Sequence, residues 1–274
     1  MKSGDYKCIW QANDWPNWRF DLAALAGPMA EVSPAQGHLM GASPTWAWRY
    51  ATRRASLCSP TRWSRPARSE APPADRLEAE TGRFLDWVNG ASNEPPLLKA
   101  GLGHLWFVTL HPFDDGNGRI ARAIGDLLLA RADGSPQRFY SLSAQIQRER
   151  SAYYDILERT QKRSMDVTDW LAWFLDTLHR AVDQAQHTLD AVLVKTRYWQ
   201  RWATMPLNER QAKLLNRLLD GFEGKLTSSK WAAIAKCSPD TALRDISDLL
   251  ERGVLRKSAA GGRSTSYELN DLRS

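Results

Sequence analysis

Between residues 74 and 195, apolar positions recur at intervals of three and four, and no stretch alternates with period two. That pattern predicts an all-α domain. DRLEAETGRFLDWVN places Leu77, Phe84, Leu85 and Val88 on one helical face. LLKAGLGHLWFVTLHPF is apolar on nearly every side, as a central buried helix is. After a glycine-containing loop, RIARAIGDLLLARA predicts a helix that starts near Arg119 and closes at Asp133-Gly134. AQIQRERSAYYDILERTQ and DVTDWLAWFLDTLHRAVDQAQHTLDAVL each predict one more helix. Upstream, the aromatic run with Trp10, Trp15, Trp18 and Phe20 reads as a packing surface and leads into LAALAGPMAEV. Pro28 and Pro34 predict that this helix is kinked or broken.

The texture changes near Pro206. NERQAKLLNRLLDG, SSKWAAIAKC and PDTALRDISDLLERG predict three short amphipathic helices, and VLRKSAAGGRSTSYELN predicts two short strands about a Gly-Gly turn. Three helices and a hairpin are the layout of a winged helix-turn-helix. The recognition helix, the second of the helix-turn-helix pair, would run from Ser238 to Glu251, with Ala242, Ile246, Leu249 and Leu250 inward and Thr241, Arg244 and Asp248 outward. The expected organisation is an aromatic-rich helical region at 1–40, an irregular basic segment at 41–69, a helical core at 70–200, and a small α+β domain at 205–274.

Composition alters this picture in one place. The net charge of +6 is concentrated in residues 41–69, which hold six arginines and no acidic residue; the other 31 basic residues match 31 acidic ones. Net charge is therefore no argument for nucleic acid. Residues 206–274 carry twelve basic and nine acidic side chains, which leaves DNA contact through the winged helix open without favouring it. There is no apolar run of membrane-spanning length and no apolar signal core, so a cytoplasmic chain with no membrane partner is expected. Cys8, Cys58 and Cys237 form neither a metal pair nor a disulfide framework.

The chemistry concentrates in HPFDDGNGRIAR, His111 to Arg122. Gly116 and Gly118 let the backbone bend tightly, so that its N–H groups and the following helix N-terminus form an anion cradle. Arg119 and Arg122, at i and i+3, can clamp further phosphate oxygens. Asp115 is placed to share Mg²⁺ with a phosphate, and His111 to deprotonate an attacking hydroxyl. The bland alternative is a helix–helix turn with a capping histidine and solvated arginines. The order of all the parts together favours phosphoryl or nucleotidyl transfer. Nearby, His104 reads as a packed core histidine, and Tyr153 and Tyr154 as packing residues or contacts to a nucleotide base.

HPFDDGNGRIAR resembles the Fic signature HPFx(D/E)GNGRxxR at every fixed position. The resemblance implies an all-helical core and an enzyme that transfers AMP from ATP to a Tyr, Thr or Ser hydroxyl of a target protein. It implies His111 as base, Asp115 as Mg²⁺ ligand, and Gly116, Asn117 and Gly118 as anion hole. It assigns phosphate binding to Arg119, the terminal phosphate to Arg122, and a core position under the loop to Phe113. The N-terminal IWQANDWPNWRFDLAALA and the C-terminal winged helix resemble those flanking the core in one bacterial branch. Two family features are missing upstream: a target-docking hairpin, and an inhibitory helix with the pattern (S/T)xxxE(G/N). Residues 41–69 stand in their place, and their Arg, Ala, Pro, Ser, Trp and Cys content is what an out-of-frame or deletion-bridging stretch of GC-rich codons would encode; the alternative is a genuine flexible, basic linker. Such a chain would be deregulated by loss of the inhibitory helix and impaired by loss of the hairpin. The alternative is a non-enzymatic winged-helix transcriptional regulator or nucleotide-sensing interaction protein. A homodimer is compatible with either.

Overall fold

The computed structural model describes residues 8–41, 72–135, 138–258 and 265–270. The segment 41–69, expected to be irregular, lies outside them save for residue 41, as do the hairpin and inhibitory helix sought there. The described chain is helical apart from one hairpin, and it divides into two compact units, residues 1–188 and 189–274.

The first unit is built around α3 (Pro96–Leu110), which is preceded by α1 (Leu22–Gly41) and α2 (Ala74–Asn89). Every residue of α3 from Leu97 to Leu110 is buried except Lys99, as its all-round apolar sequence predicts. Glycines let its neighbours approach closely. A Cβ at Gly103 would stand 2.5 Å from Leu128 of α4 (Asn117–Ala132). One at Gly101 would stand 2.9 Å from Leu171 of α7 (Thr168–Arg201), whose Trp170 indole donates to the Gly101 carbonyl at 2.9 Å.

Of the two expectations for α1, kinked or broken, the structure excludes the break: the helix runs on through Pro28 and Pro34. Each proline costs one ladder hydrogen bond. The buried face Leu25, Val32, Gln36 and Leu39, spaced by seven, four and three residues, holds the helix together by packing. Gln36 also donates to Asp133 and to the Tyr140 hydroxyl, tying α1 to the far end of α4. In α2, Phe84 and Val88 are buried as expected, but Leu85 is 51% exposed, and Glu80 takes a buried place. Glu80 is tolerated because the Trp15 indole donates to it at 2.9 Å and Arg83 at 3.1 Å. Trp15, Trp18 and Trp106 meet edge to face, so the N-terminal aromatics do serve packing.

The stretch read as one helix after Ser141 is two, α5 (Leu142–Arg148) and α6 (Arg150–Gln161). They break at Glu149, which leaves helical geometry with φ −105° and ψ 30°. Its carboxylate is taken up by a bidentate pair with Arg180, at 2.7 and 2.6 Å, and is held below its usual range by that pair. The N-terminal segment closes the unit: Arg19 pairs in parallel with Asp166, and the Asp21 N–H donates to Thr168.

In the second unit, α8 (Glu209–Leu219), α9 (Ser228–Ala235) and α10 (Pro239–Glu251) lead into the antiparallel pair β1 (Leu255–Lys257) and β2 (Tyr267–Leu269). Asn208, Thr227 and Ser238 cap the three helices with side-chain acceptors. Leu214, Trp231, Ala242, Ile246, Leu249 and Val254 are fully buried in its core. Leu250, read as inward, is half-buried, and Asp245 is buried in addition. Arg210 and Asn208 make that burial tolerable: Arg210 pairs with Asp245 at 2.8 and 3.1 Å, and Asn208 donates at 3.0 Å. Burial alone would raise the Asp245 carboxyl, but these bonds outweigh it and hold it low.

Candidate active site

The site is the joint between α3 and α4. Pro112 stops α3, and His111 caps it in the left-handed region, φ 48° and ψ 51°, with its N–H on the Phe107 carbonyl. A non-glycine residue at positive φ costs about 1 kcal/mol or more and persists only where its surroundings fix it. Here the last turn of a buried helix does so, and it leaves His111 half-buried at the mouth of the joint.

Gly116 has φ 90° and caps α4, its carbonyl accepting from the N–H groups of Arg119 and Ile120. A side chain there would be strained, and its Cβ would sit 3.5 Å from the Arg119 guanidinium. The N–H groups of Asn117 and Gly118 belong to the first turn of α4, where the helix supplies no acceptors. Asn117 is 2% exposed, and its side chain braces the loop: the Phe113 N–H donates to it at 3.0 Å, and its amide donates back to the Phe113 carbonyl. What Asn117 can offer an anion is therefore its backbone N–H.

The same brace explains a correction. Phe113, expected in the core beneath the loop, is 52% exposed. Asn117 fills the loop's interior and holds Phe113 by its backbone, so the ring rests on the edge of Phe107, 6.3 Å between centroids.

The two arginines lie three residues apart on α4, yet their environments differ. The Arg119 side chain is 61% exposed and pairs with Asp115 at 3.3 Å. Arg122 is 8% exposed, and its guanidinium runs back beneath Gly118, whose Cβ position is 3.8 Å from Nη1. Burial pulls Arg122 below its ordinary range, while Tyr153, Tyr154 and Asp126 pull back. Asp115 has an 80% exposed side chain and accepts from the Gly116 N–H at 2.7 Å. Among the described residues no three His, Cys, Asp or Glu side chains gather to hold a metal. Mg²⁺ at phosphates commonly takes one or two carboxylates and phosphate oxygens, so the exposed Asp115 fits that donor set.

The sequence reading names the loop residues, and the structure brings them to one joint. Two features escape it: the burial that separates Arg122 from Arg119, and the His104–Tyr153 contact behind Arg122. His104 is fully buried in α3, as expected of a core histidine, with Nε2 3.1 Å from the Tyr153 hydroxyl.

Residues 49–129 match the Fic/DOC family, and residues 8–54 match a domain of unknown function (DUF4172). Protein adenylyltransferase Fic of Drosophila willistoni is 31% identical over 156 residues, 56% of this chain and 27% of that protein. The protein of the same name from Nematostella vectensis is 33% identical over 119 residues, 41% of this chain and 25% of that one. The chain thus spans about a quarter of the length of these relatives. A solved Fic family protein from Desulfovibrio desulfuricans G20 aligns with 90% of this chain and 75% of its own, at 19% identity and a TM-score of 0.39, too low to bear on the fold.

Proposed function

We propose that this chain, whose residues 49–129 belong to the Fic/DOC family, transfers AMP from ATP to a hydroxyl side chain of a target protein. The observation that carries this reading is the joint itself: one histidine, two exposed carboxylates, two helix-start N–H groups and two arginines, one of them buried, within twelve residues. The acceptor oxygen attacks the α-phosphorus, the bond to the bridging oxygen breaks, and pyrophosphate leaves. His111 takes the acceptor's proton. The N–H groups of Asn117 and Gly118 receive charge developing on the phosphate, Gly116 supplies the turn that presents them, and Arg119 and Arg122 hold the polyphosphate. Asp115 would hold Mg²⁺, which when bound neutralises phosphate charge.

Support for the protein substrate comes from the relatives, which are named protein adenylyltransferases. Incubation with α-labelled ATP and candidate proteins tests the reading. Label should pass to protein with the intact chain and be lost with His111→Ala. Transfer that survives His111→Ala unchanged would remove His111 from its role.

The second unit is read as a winged helix, supported by its three capped helices and antiparallel hairpin. Arg244 is exposed on α10, where a DNA-contacting side chain would stand, and a mobility-shift assay with and without Arg244→Ala tests DNA binding. Among the described residues no helix is long and apolar enough to cross a membrane.

A further inference from the structure

The exposed side of the joint carries a residue that the proposed chemistry does not use. Six large apolar side chains are exposed among the described residues, and Phe113, at 52%, is the most exposed and the only aromatic one of them. Aliphatic side chains scattered singly are ordinary on a protein surface. Phe113 differs in position and in support. It stands two residues from His111, so their Cα atoms are at most about 7.6 Å apart.

The ring is mounted rigidly. Asn117 holds the Phe113 backbone at both its N–H and its carbonyl. Behind the ring runs a row of aromatic contacts: Phe113 to Phe107 at 6.3 Å, Phe107 to Phe84 at 5.6 Å, and Phe84 to Trp106 at 5.5 Å between centroids. Phe107, Phe84 and Trp106 are buried, so Phe113 is the solvent end of a packed row. A side chain already fixed in place loses little entropy when a partner covers it, which is why rigid aromatic rings serve as anchors at protein interfaces.

His111 and Phe113 therefore offer one acceptor chain two different things, a base for its hydroxyl and an apolar surface a short step away. An extended chain advances about 6.6–6.8 Å in two residues, enough to reach both. We propose that Phe113 is a specificity-determining residue for the protein acceptor: it takes an aliphatic or aromatic side chain within two residues of the hydroxyl that receives AMP. This rests on the transfer reading above, and it adds the local sequence that the target must carry.

The test is transfer from α-labelled ATP, with Mg²⁺, to an array of synthetic peptides. Each holds a single Tyr, Thr or Ser acceptor, with Leu, Phe, Asn or Lys at the positions one and two away. The full chain should label Leu- and Phe-flanked peptides about tenfold better than Asn- or Lys-flanked ones, as expected for partial burial of one apolar side chain. Phe113→Ser should erase the preference by raising the KM for the favoured peptides, with kcat and ATP affinity within twofold. Phe113→Leu should keep the preference, and Phe113→Ala is the readout if Phe113→Ser does not fold. If the full chain labels neither a peptide nor a protein, the transfer reading fails and this inference with it. Only the inference is overturned if proteins are labelled but no peptide is, or if peptides are labelled without regard to their flanks. The same holds if Phe113→Ser weakens ATP binding and the labelling of every peptide alike.

Discussion

The two units bury polar groups in opposite ways. In the second, Asp245 is closed in by Arg210 and Asn208, and Gln211 by Asp248 and the Asn208 backbone. Each of these acceptors meets a donor, and the network joins α8 to α10. In the first unit, Arg122, Asn117 and His104 are also buried, and Arg122 and Asn117 belong to the helix start that follows a loop with His111 half-buried and Asp115 exposed. A closed network fixes a fold, while a buried one that leads to an exposed end holds chemistry in place. The contrast is in keeping with the proposal that the first unit carries the chemistry.

The largest effect that can break this contrast is on transfer. His111→Ala should reduce AMP transfer about 10²- to 10⁴-fold, with the thermal melt unchanged. Asp245→Ala should do the reverse, lowering the melting temperature and leaving transfer intact; transfer lost with Asp245 would erase the distinction. Next in size is Gly103→Ala, which forces a methyl to 2.5 Å from Leu128 and should cost about 1–3 kcal/mol by denaturant titration.

A pH dependence sharpens the picture of the first unit. His104 is depressed from 6.5 to about 3 by burial and by Arg122. Between those values the unfolded chain binds a proton that the folded chain refuses. The stability is therefore complete above pH 6.5 and falls as pH drops towards 3, by on the order of 1 kcal/mol per pH unit from this group. Melts of the intact chain and His104→Gln across that window should differ in slope, and equal slopes would remove His104 as the cause. The smallest effect is a control. Gly82 lies on the open side of α2 with nothing near its Cβ position, and Gly82→Ala should stabilise by about 0.5–1 kcal/mol.

Much of this was legible in residue order. The all-round apolar α3 announced its own burial, and HPFDDGNGRIAR announced a loop between two helices. What the order could not convey was decided by partners remote in sequence. Glu80 is buried because Trp15 stands 65 residues away, and α5 and α6 part because Arg180 draws in Glu149 across 31. Pro28 and Pro34 were weighed for the bonds they lose, whereas the packing of Leu25, Val32 and Leu39 decides the helix. Phe113 illustrates the limit of a motif: the resemblance implied a core position, but the ring is half exposed while Asn117 holds its backbone.

The pairing of Arg19 with Asp166, and of Asp21 with Thr168, has a consequence for the order of folding. The second contact joins residues 147 apart, so its loop-closure entropy must be met before the contact returns anything. Local pairings such as α3 with α4 can form early. The N-terminal clasp can close only once α7 has begun, which makes it the last part of the first unit to assemble and the first to open.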